Sequence, residues 1–261
     1  MPLRIAIATR CLGRPFAESL RAAAKTGARG VQFDGCEELP PGELTDTGRR
    51  QLLNSLEKLG LSVASLAFLA HRSFCDEEQL DARVAACKRV MEFAWQLGTR
   101  VVAARIGKVP ADRKSKAYQI LFDVLSDLAR YGNQIGATLA ITPTHDAPQA
   151  LVELLTAVKA GPLGIDFDPA VFIMSGHNPA DALRLLHSSV IHFTARDADR
   201  DVDAGGREVA VGRGEVDWRE LMILLDEIGY SGRTTVIRSQ GDDRAGDVVR
   251  AVQYLKNVFS A

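Results

Sequence analysis

The stretches ATLAITPTH (Ala137–His145), LGIDFDPAV (Leu163–Val171) and VIHFTARD (Val190–Asp197) decide how this chain folds. Each is a short, largely apolar run that ends in polar residues. Successive side chains of a strand point to opposite faces. One face is then apolar: Leu139 and Ile141, Ile165 and Phe167, Phe193 and Ala195. The other carries Thr142, then Asp166 and Asp168, then His192, Thr194 and Arg196. GVQFD at Gly30–Asp34 repeats the pattern, with Val31 and Phe33 on one face and Gln32 and Asp34 on the other. Such strands are covered by helices on the apolar side and turn polar groups toward each other on the opposite side.

Working outward, strand and helix alternate along the whole chain. Strands are expected at Leu3–Thr9, Gly30–Asp34, Leu61–Phe68, Arg100–Gly107, Thr138–Thr142, Gly164–Asp168, Val190–Arg196 and Thr234–Arg238. Helices are expected at Phe16–Lys25, Asp46–Leu59, Glu77–Leu97, Lys114–Ile135, Pro148–Val158, Pro179–His187, Trp218–Ile228 and Gly246–Phe259. The third helix places Leu80, Val84, Cys87, Met91, Ala94 and Leu97 at spacings of three and four, one apolar stripe. Gly98 follows where a left-handed residue is wanted. Asn178 and Asp217 are placed to cap the helices after them. Eight such units predict an α/β protein, a single (β/α)8 TIM barrel occupying residues 1–261 as one domain. An open doubly wound sheet would usually carry a glycine-rich phosphate turn, and GxGxxG is absent. In a barrel the site lies at the C-terminal strand ends.

Composition excludes several functions. A formal net charge of −1 over 261 residues, with no basic block, argues against a nucleic-acid partner. The 4 cysteines form no CxxC pair or zinc-type cluster, as in a reduced cytoplasmic protein. The N-terminal MPLRIAIATR reads as a first strand, without the long apolar region of a signal peptide. No apolar run approaches the roughly 18 residues of a membrane span, so no membrane partner is expected.

A barrel interior holding Asp34, Asp166, Asp168, Arg105, Arg196 and His192 must pair those groups, because an unpartnered buried charge costs several kcal/mol. The expectation is a mutually paired network, serving a site or simply filling the barrel. Arg10, Arg72, Arg105, Arg196 and Arg238 fall near strand ends and would form an anion site if two or three converged.

Over nearly its whole length, and most strongly from Gly136 onward, the chain resembles the xylose isomerase-like TIM barrel superfamily, which includes sugar-phosphate isomerases and epimerases and endonuclease IV. In that group strand five ends in a ligand Glu; here Thr142 stands there, with His145 slightly beyond. Asp168-Pro169 match the Asp-Pro at the end of strand six, and Val171 replaces a His. The His-x-Lys-Asp of strand seven is Thr194-Ala195-Arg196-Asp197. The last ligand Glu, on strand eight, is Ile237, with Arg238 next. The resemblance implies a cation held by two Glu, one Asp and one His that acts as a Lewis acid. With Thr142, Asp168, Thr194 and Ile237 at those positions the metal site is degenerate. No cofactor is expected, or at most a weakly bound Mn²⁺, Mg²⁺ or Zn²⁺.

Two functional readings follow. In the first, a pseudoenzyme-like barrel binds a small polyol or an anionic sugar-derived metabolite without family-type metal catalysis. In the second, an active isomerase or epimerase works on a sugar or sugar acid through Asp168, Arg196 and His145, or through a rebuilt metal site. In both, Asp34, Arg105, Thr142, Asp166, Thr194, Asp197 and Arg238 are the expected ligand-binding residues. DNA repair of the endonuclease IV kind is more remote, since it needs a fuller metal cluster and a basic groove. The resemblance also implies pairing through the helical ring, hence a homodimer.

Overall fold

Eight parallel strands close on themselves in a computed structural model that describes residues 3–201 and 205–260. The barrel strands are β1 (Ile5–Ala8), β2 (Gly30–Asp34), β3 (Ser62–Phe68), β4 (Val101–Arg105), β5 (Thr138–Thr142), β6 (Leu163–Phe167) and β7 (Val190–Ala195), then two short strands outside the barrel, β8 (Asp197–Asp199) and β9 (Arg207–Val209), and finally β10 (Thr234–Val236). Each of β1 to β7 lies beside the next, and β10 closes the ring between β7 and β1. The (β/α)8 expectation is met.

The helices are α1 (Phe16–Lys25), α2 (Asp46–Lys58), α3 (Leu80–Gln96), α4 (Lys116–Ile135), α5 (Pro148–Ala157), α6 (Pro169–Met174), α7 (Pro179–Leu186), α8 (Trp218–Glu227) and α9 (Arg244–Ser260). The stripe of α3 behaves as its spacing requires. Cys87, Met91, Ala94 and Leu97 are buried, and Leu80 and Val84 pack on the core at its edge. Asn178 accepts hydrogen bonds from the Ala180 and Asp181 amides at the start of α7, and Asp217 from the Glu220 amide at the start of α8. Gly136 ends α4 at φ 77°, a left-handed conformation that a side chain would strain. Between barrel and helices, Phe167 stacks on Phe193 at 5.5 Å, and Phe193 meets Trp218 edge-on at 6.4 Å.

Two elements depart from the expectation. Asp168 ends β6 but also caps the unanticipated α6, accepting from the Ala170 amide at 3.1 Å with Pro169 in the first turn. The β8–β9 pair is an antiparallel extension after β7, beginning at Asp197. Gly205 and Gly206 have φ of 75° and 94° on its return side.

Seven inward polar residues of the strands form one network, while Arg105, expected to pair within it, stands apart. Asp166 is the hub of the network. Its Oδ1 accepts from His192 Nδ1 and from Thr194 Oγ1, both at 2.7 Å, and its Oδ2 accepts from Thr142 Oγ1 at 2.7 Å. His192 Nε2 lies 3.1 Å from Ser65 Oγ and 2.9 Å from Thr235 Oγ1. Gln32 Nε2 donates to Ser65 Oγ at 2.9 Å. Six strands are thereby tied across the barrel. Burial by itself raises the Asp166 carboxyl, but the His192 imidazole and the three donors outweigh it and hold the group below the usual carboxylate range.

Asp197 is a second buried hub, on the outside of the barrel. Its carboxylate accepts from the Ala198, Val216 and Gly212 amides and from Trp218 Nε1. It thus holds the β8–β9 extension to the start of α8.

Two outcomes are expected. Asp197→Asn replaces one acceptor oxygen by a donor in a fully satisfied cluster and should cost about 2–4 kcal/mol in urea unfolding; a change below about 0.5 kcal/mol would contradict the role given to Asp197. Asp166→Asn should cost about 3–5 kcal/mol at neutral pH, as expected on breaking a buried pair. Asp166 has a depressed folded pKa, so its stabilisation is complete above its unfolded value, near about 3.9, and is lost as pH falls through the folded value. The gap between wild type and Asp166→Asn should therefore narrow in acid and stay constant between pH 5 and 8. A gap that does not change with acidification would contradict this.

Candidate functional site

The C-terminal strand ends enclose a cavity of about 30 Å³, lined by Arg10, Gln32, Ala67, Leu69, Ala103, Arg105, Thr142, Asp166, Asp168, Thr194, Arg196, Ile237 and Ser239. The small inward side chains Ala67 on β3 and Ala103 on β4 leave the space. Nine residues singled out in the sequence meet here: Arg10, Gln32, Arg105, Thr142, Asp166, Asp168, Thr194, Arg196 and Ile237.

Arg196 is the centre of the wall. Its Nη1 donates to Asp168 Oδ2 at 2.7 Å, and its Nη2 lies 3.2 Å from Glu208 Oε2. Glu208 also faces Arg238 Nη1 at 3.4 Å and accepts from the Ser239 amide at 2.7 Å. Arg238 then reaches Asp247 through Nε at 2.9 Å. The result is an alternating chain of charge, Asp168–Arg196–Glu208–Arg238–Asp247, running from the cavity to α9. Burial opposes the charge on Arg196, but Asp168 and Glu208 prevail and raise its pKa. Burial, reinforced by Asp166 and Glu208, pushes the Asp168 carboxyl above its ordinary range in spite of Arg196. The short Arg196–Asp168 bond is that of a charge-assisted pair.

Four expected residues are not brought to the cavity. Asp34 spends its Oδ1 on the Cys36 amide at 2.7 Å, in its own loop, so it takes no part in the interior network. Asp197 is the structural hub of the β8–β9 extension, its carboxylate fully engaged. His145 is exposed, with Nδ1 3.1 Å from Ser175 Oγ at the end of α6. Arg238 pairs with Glu208 and Asp247 in place of lining the cavity. Arg72, also considered for the rim, is an exposed partner of Asp76 and Glu78, each at 2.8 Å. The reason is common to them: each lies in a loop, or at or past the last paired residue of its strand, where strand alternation no longer fixes direction.

Glu208, Ser239, Ser65 and Thr235 were not anticipated. Glu208 lies in Arg207–Val209, three residues after a glycine pair, a pattern that signals a returning hairpin strand. A roomier groove of about 360 Å³ lies outside the barrel, among Gly176, His177, Arg200 and Glu215. The helix starts beside it are already capped by Asn178 and Asp217.

Arg196 bridges two carboxylates, and the Thr142 and Thr194 hydroxyls both spend their protons on Asp166. Among the described residues no three His, Cys, Asp or Glu side chains converge as a metal-binding group. No helix among them is long and apolar enough to cross a membrane.

Comparison with known proteins agrees with this architecture. An uncharacterized protein of Methanocaldococcus jannaschii is 27% identical over 191 residues, which are 66% of this chain and 61% of that protein. The crystal structure of a xylose isomerase domain protein from Planctomyces limnophilus is 26% identical, with a TM-score of 0.84 over 92% of this chain and 91% of that one. A D-tagatose 3-epimerase-like protein shares the fold at 18% identity, with a TM-score of 0.78 over 99% and 98% of the two chains. The family model described as xylose isomerase-like TIM barrel matches residues 20–258. With its closed barrel and that match, the chain belongs to the xylose isomerase-like TIM barrel family.

Proposed function

We propose that this barrel binds a small polyol or an anionic sugar-derived metabolite at its strand ends, without the family's metal-assisted chemistry. The observation that carries the reading is the Arg196–Asp168 bond of 2.7 Å. It places a fixed guanidinium on the carboxylate that matches the family's ligand Asp.

The residues present do not fit a divalent cation. Such an ion needs several oxygen or nitrogen donors, preferably anionic, to offset its dehydration. Ile237 offers hydrocarbon. Thr142 and Thr194 offer neutral hydroxyls, and Asp168 would have to leave Arg196 to bind a second cation beside it. A guanidinium cannot lose its charge near neutral pH, so its repulsion of a metal ion would persist.

The reading as an active isomerase through Asp168, Arg196 and His145 gains no support. It asks for a mobile acid–base pair, but Asp168 is locked to Arg196 and the Ala170 amide, and His145 sits on Ser175. The loss of metal chemistry is compatible with retained binding, because the cavity keeps a polar lining open to small molecules.

Calorimetric titration tests the proposal. Wild type should show no tight, stoichiometric binding of Mg²⁺, Mn²⁺ or Zn²⁺. Combining Thr142→Glu, Thr194→His and Ile237→Glu should create measurable Mn²⁺ or Zn²⁺ affinity, by placing ligands with Asp168 around one point. Tight binding by wild type would refute the proposal. A folded triple variant that binds nothing would refute the assignment of those positions to a former metal site.

A further inference from the structure

We propose that the cavity recognises a carboxylate, gripped by Arg105 with Arg10 beside it. The metabolite bound is then a small hydroxy acid, with the neutral polyol excluded. This rests on reading the barrel as a metabolite site without a family-type metal, and it names the ligand class of that site.

The charge inventory around the cavity supports it. Arg196 is matched by Asp168 and Glu208, and Arg238 by Glu208 and Asp247. Asp166 accepts hydrogen bonds from His192, Thr142 and Thr194. Arg10 donates to the neutral Gln32 Oε1 at 2.9 Å. Among the described residues, no carboxylate comes within ion-pair distance of Arg10 or Arg105, and no hydrogen-bond acceptor meets the Arg105 guanidinium. Arg105 therefore lines the cavity with five N–H donors uncommitted to protein. Partial burial, Arg196 and Arg10 disfavour its charge and together outweigh the opposing pull of Asp168 and Asp166. An anion entering the cavity would relieve that repulsion. Arg196 adds a further donor, since its buried Nε finds no acceptor.

The hydroxyls specify the rest of the ligand. Thr142 and Thr194 each have one hydroxyl proton, and both protons go to Asp166. Toward the cavity they can only accept, so they suit a ligand that donates hydroxyls close to its carboxylate. Size points the same way. About 30 Å³ holds a group of one or two water-sized units. A planar carboxylate head fits that space better than a tetrahedral phosphate, and the remaining carbons would extend past Arg105, which is partly exposed.

The test is calorimetric titration at low salt with glycolate, D-glycerate and D-gluconate, against ethylene glycol, glycerol and D-glucitol as neutral matches and inorganic phosphate as the alternative oxyanion. At least one acid should bind roughly tenfold or more tightly than its neutral match and more tightly than phosphate. Arg105→Gln should weaken that acid by roughly tenfold or more while leaving the thermal unfolding of the free protein near wild type. Arg105→Lys, which keeps the charge and loses the fork, should fall between. Neutral polyols binding as well as acids, phosphate binding best, an Arg105→Gln variant that binds the acid unchanged, or no saturable binding by any of the three acids would each overturn the proposal. Tight Mn²⁺ binding by wild type would remove the underlying reading instead, which separates the two failures.

Discussion

The guanidinium of Arg196, held between Asp168 and Glu208, is the constraint on which the strand-end region depends. Two buried carboxylates face each other across it, and among the described residues the further cation in ion-pair reach is Arg238, on the far side of Glu208. Taking the guanidinium away would leave buried charge unpaired, a loss of about 3–5 kcal/mol by analogy with other broken buried pairs. The same interaction positions α6, because Asp168 caps that helix with its other oxygen. It also positions the β8–β9 extension, because Glu208 lies on β9. A side chain that fixes three elements at once has little freedom to act as a mobile catalytic group.

Below this layer, Asp166 plays a different part. It has a histidine for a partner and three donors of moderate strength, and it ties strands whose apolar faces are already held by the helices. The two carboxylates lie two residues apart on one strand end, yet burial and neighbours push their carboxyls in opposite directions. Together the layers set arginines and hydroxyl acceptors around the strand-end cavity. That arrangement is the physical basis of the metabolite-binding role we propose.

Much of this was legible in the sequence. Period-two alternation gave the inward set Gln32, Arg105, Thr142, Asp166 and Thr194, because within a strand the hydrogen-bonded ladder leaves a side chain only two directions, and it carried one residue beyond β7 to Arg196. It failed for Asp34 and for Asp197, which lie where the ladder ends and loop conformation takes over. Asp197 has the type and place of a site residue, but the amides of Gly212 and Val216 that bind it arrive from more than ten residues away. Nothing local announces them. Glu208 was missed for a similar reason: its importance comes from Arg196 and Arg238, contributed by two other strand ends. Asp-Pro at 168–169 was legible as a ligand motif, and the structure uses it as a helix start.

The most direct test of the central claim is relaxation of isotope-labelled protein by Mn²⁺, read at the backbone amides of Thr142, Asp168 and Thr194 and at the side-chain resonances of Arg196. If the guanidinium stands where a cation would, Mn²⁺ should leave these signals no more broadened than those of buried residues elsewhere in the barrel. Saturable broadening centred on Thr142, Asp168 and Thr194, with release of Arg196 from its paired state, would contradict the account.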